Sequence, residues 1–431
     1  MKKAFSFLNF SFFKKSKFTG SDYTLPELDL SLLPEKLKGS KFEYLYKLSV
    51  VDNSKDYMAH PDSVLLKNGN ILTFFPADHG KGAIQTKISL DGGLSWNEKL
   101  NNTPSSWVYS RETPTVYRLS FSNAEDKLIM ISANPKWPNE TTVGGFNCSV
   151  SCDEGKTWTE FERFFDLKSE NPVIPIVAMS SLTQLKENGV FVNKWMGLFH
   201  DSDFYNYKTI LTFDEEGKMK WSVPEKYFSQ YRKIEKSSKM CEVEVIRSEG
   251  GKGNELCLIS RSNSKKINSL ISFSSDEGKT WSKPKEAPPA LNGERHKAEH
   301  TKDGRLFITF RSIERGNNAR LHSGKNNLHG WISEGYVAWV GTFDDLKKGL
   351  EGQYRIKVAH IFDEGQTEPE YCAGSDTGYC GNVVLEDGTI VTCSYGKFSP
   401  EEKTKDQKKL KTYICSKRIR LEDTDELLKN L

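Results

Sequence analysis

The sequence lacks an excess of charge of either sign, a long apolar run and any close grouping of cysteines. Its 61 Lys and Arg nearly cancel 58 Asp and Glu, leaving a formal +3 over 431 residues. Near-neutrality without like-charge runs gives no electrostatic footprint for nucleic acid, so recognition is expected at local sites. No stretch approaches the roughly 20 apolar residues that a membrane-spanning helix needs. Eight cysteines stand at 148, 152, 241, 257, 372, 380, 393 and 415, with neither zinc-ligand spacing nor a compact disulfide framework. Free, mostly buried thiols are expected, which favours a reducing compartment and a cytoplasmic location. Met1-Lys2-Lys3 and the run Ala4 to Phe13 look like a short signal sequence, but Ser and Asn interrupt the run and Lys14-Lys15 follows without a small-residue cleavage site. Two glycosylation triplets, Asn139-Glu-Thr141 and Asn147-Cys-Ser149, carry meaning only with a secretory route, and secretion stays open.

What is present is repetition. Ser89-Leu-Asp91-Gly-Gly93-Leu-Ser-Trp96, Ser151-Cys-Asp153-Glu-Gly155-Lys-Thr-Trp158 and Ser274-Ser-Asp276-Glu-Gly278-Lys-Thr-Trp281 share the pattern S-x-D-x-G-x-x-W. A worn copy begins at Thr212-Phe-Asp214, with Gly217 and Trp221, and Thr342-Phe-Asp344 is read as a further one. The starts at 89, 151, 212, 274 and 342 are 62, 61, 62 and 68 residues apart, so the chain holds about six periods. Chemically the octapeptide is a hairpin turn: Asp accepts from turn amides, Gly permits a left-handed backbone, Ser closes the turn and Trp packs over it. Upstream of each copy lie two strand-like runs joined by a turn, with Asn68-Gly69 and Asp387-Gly388 as hairpin signals, and no long amphipathic helical pattern. Four antiparallel strands repeated about six times, each unit too small to bury its own faces, predict an all-β, six-bladed β-propeller. The expected division is an N-terminal arm or wrap over 1–38, the propeller over 39–420 and a tail over 421–431. Phe42-Glu-Tyr-Leu-Tyr-Lys-Leu48 is expected to close the ring beside the last blade, and Lys226 to Lys239 and Lys403 to Lys411 to be surface loops.

In such a blade the start of the innermost strand and the end of the second strand share one face. The inner starts include His60-Pro61-Asp62, Arg111-Glu112-Thr113, Cys241-Glu242, Arg295-His296 and Gly378-Tyr379; the second-strand ends include Asp78-His79, Arg261, Arg311 and Tyr395. A ring of polar groups around a central depression is a candidate ligand site. Singly, each has a plain structural reading, as a rim ion pair, a strand-opening Glu bonded to a neighbouring Arg, or a core His or Tyr.

With its three octapeptides, known as Asp-boxes, its six-fold period and this order of polar residues, the chain resembles the sialidase (neuraminidase) superfamily over roughly residues 40 to 420. Glu242 and Arg261 match the family's fourth blade, and Tyr379 matches its nucleophilic Tyr in the sixth. The resemblance implies a retaining exo-glycosidase that releases a terminal sialic acid or related acidic sugar, without metal or organic cofactor. Tyr379 would be the nucleophile and Glu242 its base, since a neutral phenol avoids the repulsion that a carboxylate would meet at a carboxylated anomeric carbon. Arg261 and Arg311 would hold the sugar carboxylate. Asp78 takes the place of the family's acid/base Asp, with His79 and Asp62 as competitors. Sialidases carry an Arg before Pro in the first inner strand, where this chain has His60-Pro61. Arg111, Arg295 or His60 would compensate, or the substrate binds differently. Asp-boxes also occur in non-catalytic propellers, so a glycan- or protein-binding propeller and a glycosidase for another sugar stay as alternatives.

Overall fold

The alternating apolar residues of each period give a small sheet two faces that need covering, and stacking sheets side by side in a ring covers both. The computed structural model describes residues 23–97, 99–136, 141–315, 331–367 and 376–430 and has six such sheets. Blade one comprises Asp62–Leu65, Ile71–Pro76 and Ile84–Ser89. Blade two comprises Thr115–Leu119, Lys127–Ala133, Gly144–Ser151 and Glu162–Asp166. Blade three begins with Ser181–Glu187, Val190–His200 and Asn206–Phe213, and ends with Met219–Trp221. Blade four runs from Met240–Arg247 through Leu256–Ser262 and Leu270–Ser274 to Lys285–Glu286. Blade five contains Gly293–His300, Leu306–Arg315, Trp331–Gly341 and Tyr354–Ala359. Blade six contains Gly381–Val384, Ile390–Gly396 and Tyr413–Ile419, and is completed by Ser49–Asp52, which pairs antiparallel with Tyr413–Ile419. The architecture is a six-bladed β-propeller closed by its two chain ends. Among the described residues the apolar core is divided into clusters, each shared by two adjacent blades.

The Asp-boxes form the turns on the face opposite the inner-strand starts. Asp153 accepts from Thr157 N at 2.9 Å, Thr157 Oγ1 at 2.5 Å and Ser151 Oγ at 2.8 Å, while Ser151 Oγ accepts from Gly155 N at 2.8 Å. Asp91 and Asp276 repeat the arrangement. Gly155 has φ +79°, and a Cβ there would fall 2.8 Å from Leu72 of the preceding blade, so glycine serves both the turn and the blade contact. Trp158 makes edge contact with Phe74 and Trp107 across the same junction. Each turn therefore fastens its blade to the one before. Asp153→Ala, which removes three acceptor contacts, is expected to cost about 1–3 kcal/mol, measured as a lower denaturant midpoint at unchanged slope.

Three local expectations change. Thr342-Phe-Asp344 is not an Asp-box: Thr342 caps the helix Phe343–Lys348, accepting from Asp345 N at 3.1 Å. Where the true copies have Gly, this segment has the buried Leu346, so the turn cannot form and the chain coils instead. The strand that closes the ring is Ser49–Asp52, not 42–48; Glu43–Tyr46 is a 3₁₀ turn that buries Leu45 and lets Tyr44 donate to Asp423 at 2.6 Å. The segment 226–239 contains the helix Arg232–Ser238, whose buried Glu235 accepts from Asn206 N at 2.7 Å. Before the ring begins, Glu27–Asp29 adds a parallel strand to the outer edge of blade five, and the terminal helix Leu421–Lys429 is tied to Arg305 through Asp425 at 2.8 Å. The signal-like run 4–13, Cys372 and Asn139 lie outside the described residues. Asn147 is buried and accepts from Asn134 Nδ2 at 3.2 Å, which closes it to glycan attachment. The described cysteines are free thiols, buried except Cys152. Among the described residues no helix is long and apolar enough to cross a membrane.

Candidate active site

The inner strands of blades one, four and five open on non-glycine residues with left-handed backbone: His60 at φ +54°, Glu242 at +47° and Arg295 at +56°. Register shifts between Cys241 and Val243 and between Glu294 and Lys297 accompany the latter two. A bulge turns a side chain out of the alternating pattern, and strain of this kind persists only where surrounding contacts hold it. In blade six the same role falls to Gly378, at φ +114°, where a Cβ would meet Arg311 Cβ at 2.5 Å. Only glycine brings Tyr379 this close to the strand carrying Arg311.

These segments enclose a cleft of about 460 Å³, lined by His60, His79, Lys81, Glu112, Ile176, Val177, Glu242, Arg261, Arg311, Asp376, Tyr379 and Tyr395. Tyr379 Oη donates to Glu242 Oε1 at 2.7 Å. Arg261 Nη1 donates to both Glu242 oxygens at 3.0 Å, and its Nη2 donates to Asn263 Oδ1 at 2.9 Å. Beneath them the buried Glu294 receives Arg261 Nη2 at 3.2 Å, Lys265 Nζ at 3.1 Å and Arg311 Nη2 in a direct contact. Asp376 accepts from Tyr57 Oη at 2.5 Å and Tyr395 Oη at 2.9 Å, with Arg311 Nη1 3.8 Å away. Burial would push the Glu242 carboxyl up, but Arg261, His200 and the Tyr379 hydroxyl bring it down to about 2. Burial and the neighbouring carboxylate hold the Tyr379 phenol well above its usual range. His60, buried, is pushed down to about 3 and is neutral. Its Nδ1 accepts from Gly80 N at 3.0 Å, which places the proton on Nε2, 3.4 Å from Tyr395 Oη.

The cleft thus gathers Tyr379, Glu242, Arg261, Arg311, His60 and His79 from the residues singled out in the sequence. Asp78 is exposed beside it, its Oδ1 accepting from His79 N at 2.7 Å, and does not line it. Asp62 is buried away from the cleft, where it accepts from Val116 N at 2.9 Å and faces Lys297 Nζ at 3.4 Å, joining blades one, two and five. Arg111 is exposed and is not part of the lining. Arg295 lies behind the Tyr379 ring, 5.5 Å from its centre, donating to Ser180 O at 2.9 Å. Neither Arg takes the place before Pro61. Lys81, Glu294 and Asp376 escaped the sequence reading, and Glu112 entered it only as a strand start; Asp376, three residues before Tyr379, carried the most accessible signal. Two larger hollows, of about 730 and 640 Å³, lie on the outside of the ring, and their charged side chains are exposed or half-buried. Of these three hollows among the described residues, the smaller central cleft is the candidate site because it brings buried acids, cations and a phenol together.

The sequence matches the model of the BNR repeat-like domain over residues 78–331. No curated protein matches it. Among solved structures it is similar to a protein of unknown function from Dyadobacter fermentans, 15% identical, over 86% of this chain and 97% of that one, with TM-score 0.57. An α-L-arabinofuranosidase from Fusarium graminearum is 11% identical over 85% of this chain and 93% of its own, with TM-score 0.52. The NanB sialidase of Streptococcus pneumoniae is 12% identical over 88% of this chain and 70% of its own, with TM-score 0.51. At these identities the likeness is one of fold. The family match spans more than half of the chain, and the chain belongs to the BNR repeat-like domain family, folded as a six-bladed propeller.

Proposed function

We propose that residues 39–420 form the catalytic body of a retaining exo-glycosidase of sialidase type, which releases a terminal α-linked sialic acid or related acidic nonulosonic sugar through a tyrosyl intermediate. The observation that carries this reading is the 2.7 Å hydrogen bond from Tyr379 Oη to Glu242, inside a cleft that also holds Arg261 and Arg311. The Tyr379 oxygen attacks the anomeric carbon while its proton passes to Glu242. At rest Glu242 is a weak base, because Arg261 neutralises it. A substrate carboxylate that shares the Arg261 guanidinium weakens that pairing and raises the basicity of Glu242 when the sugar is bound. Turnover of a 4-methylumbelliferyl α-sialoside tests the reading; no turnover of any α-linked nonulosonic acid overturns it. Arg311→Lys keeps the charge beside Glu294 but loses the planar fork, and KM for the acidic sugar is expected to rise about 10- to 100-fold.

A second reading, a glycosidase for another sugar, rests on His60. Where sialidases carry an Arg, this chain has a buried, neutral imidazole, and both remaining guanidinium groups already face carboxylates. The similarity of fold to the Fusarium arabinofuranosidase makes an aryl α-L-arabinofuranoside the natural comparison substrate. Faster turnover of that neutral glycoside than of the sialoside would favour this reading.

A further inference from the structure

Three carboxyl groups line the cleft, and two of them are committed. Glu242 is held ionised by Arg261, and Asp376 accepts from two phenols beside Arg311. Glu112 differs. It lines the cleft, is buried and makes no ion pair among the described residues; Thr113 N and Thr113 Oγ1 donate to its Oε1, at 3.0 and 2.5 Å. Gly80 of the blade-one loop presses against it: a Cβ at Gly80 would fall 2.8 Å from Oε1 and 3.3 Å from Oε2. The same loop donates Gly80 N to His60, so it covers Glu112 and shields it from water. Burial, reinforced by the Glu242 charge, pushes the Glu112 carboxyl up to about 8. Two acids in one cleft with widely separated proton affinities have the disposition of an acid and a base.

Position agrees. In a six-membered ring blade two stands opposite blade five, whose neighbours, blades four and six, carry Glu242 and Tyr379. Blades two, four and six alternate around that ring, so a sugar bound at the centre has Glu112, Glu242 and Tyr379 on three sides of it. We infer that Glu112, not Asp78, is the general acid of the proposed reaction. The inference rests on the glycosidase reading of the cleft. As the bond from the anomeric carbon to the glycosidic oxygen breaks and the bond to Tyr379 Oη forms, Glu112 gives its proton to the departing oxygen and Tyr379 gives its own to Glu242. In the second step the Glu112 carboxylate takes a proton from the water that attacks the anomeric carbon. The bond to Tyr379 breaks, and Glu242 returns the phenol proton.

The test uses the full chain, with Glu112→Gln and Asp78→Asn beside wild type, on sialyllactose and on 4-nitrophenyl α-sialoside. A poor leaving group needs the acid and a nitrophenolate does not. Glu112→Gln is expected to lose about 10²- to 10⁴-fold on sialyllactose, less than about 10-fold in the nitrophenolate burst, and the fall in wild-type rate above pH 8. Equal loss on both substrates, no loss, or the leaving-group signature on Asp78→Asn overturns the assignment while leaving the glycosidase reading intact. No turnover of either substrate by wild type overturns that reading and this inference with it.

Melting temperatures give a readout independent of activity. The folded-state proton affinity of Glu112 lies above its unfolded value, so its contribution to stability is complete below about pH 4.5 and is lost as pH rises through about 8. Glu242 acts on this titration, and it and the other charged groups of the cleft, Arg261, Arg311, Lys81, His79 and Asp376, are shared with Glu112→Gln. The melting temperature of Glu112→Gln relative to wild type is therefore expected to climb between pH 5 and pH 9. A flat difference overturns the assignment.

Discussion

Tyr379→Phe is expected to lower turnover of an α-sialoside by at least about 10⁴-fold, on the scale seen when a hydrolase loses its nucleophile, while the substrate still binds. The substitution removes one oxygen and little else. The ring keeps its edge contact with His60, at 4.3 Å between centres, and its place 5.5 Å from the Arg295 guanidinium. Glu242 loses one donor but keeps both bonds from Arg261, so the cost to folding is about 1 kcal/mol. A near-normal melting temperature and substrate affinity with turnover abolished is the signature of a nucleophile. A 2,3-difluoro sialic acid that labels wild type should leave Tyr379→Phe unlabelled. Labelling of another residue in the variant would remove Tyr379 from the mechanism, and a kcat within tenfold of wild type would remove the tyrosyl intermediate altogether.

The ring could be read from the sequence because its determinants are local. Ser, Asp, Gly and Trp at fixed spacing make the same turn wherever they occur, and the three true Asp-boxes, starting at 89, 151 and 274, stand one and two periods apart. Thr342-Phe-Asp344 misled because it keeps the first part of the pattern and lacks the glycine, and a capping Thr before an amphipathic segment starts a helix equally well. The closing strand was misplaced because the aromatic spacing in Phe42 to Tyr46 suits a buried turn as well as a strand. The site was legible to the level of strand ends and no further. Asp62 and Glu242 are both carboxylates opening inner strands. Asp62 pairs in regular register and turns its carboxylate to Val116 of the next blade, whereas the bulge at Cys241 and Val243 throws Glu242 into the cleft. Nothing in the order of residues announces that bulge. Asp78 stands off the lining for a related reason, since the conformation of its loop lets its carboxylate accept from His79 N and puts Lys81 on the lining.

Glu294 is the residue on which the largest loss of stability is expected. It is buried and holds three cations, Arg261 at 3.2 Å, Lys265 at 3.1 Å and Arg311 in direct contact. The Arg261 and Lys265 contacts meet Oε1 as charge contacts without a well-aligned hydrogen bond, so its role is chiefly electrostatic. Burial opposes the charge of Glu294, yet the two arginines and the lysine keep its carboxyl well below the usual range. Removing that charge leaves three cations with only Glu242, bonded to Arg261, and Asp376, 3.8 Å from Arg311, to balance them in a low-dielectric cleft, a loss approaching the cost of about 3–5 kcal/mol for breaking a buried pair. Glu294→Gln is expected to melt several degrees below wild type at pH 7. Because the folded-state carboxyl is depressed, its contribution is present above about pH 4.5 and is lost as pH falls toward the folded value, so the gap should narrow on going from pH 7 to pH 4. A gap that is constant with pH would assign the loss to packing instead of charge. The same substitution reaches the chemistry, since the two guanidinium groups proposed to hold the sugar are spaced by this one carboxylate. KM for the acidic sugar should rise together with the drop in melting temperature, whereas a variant that melts early but binds normally would show that Arg261 and Arg311 are positioned by Glu242 and Asp376 alone.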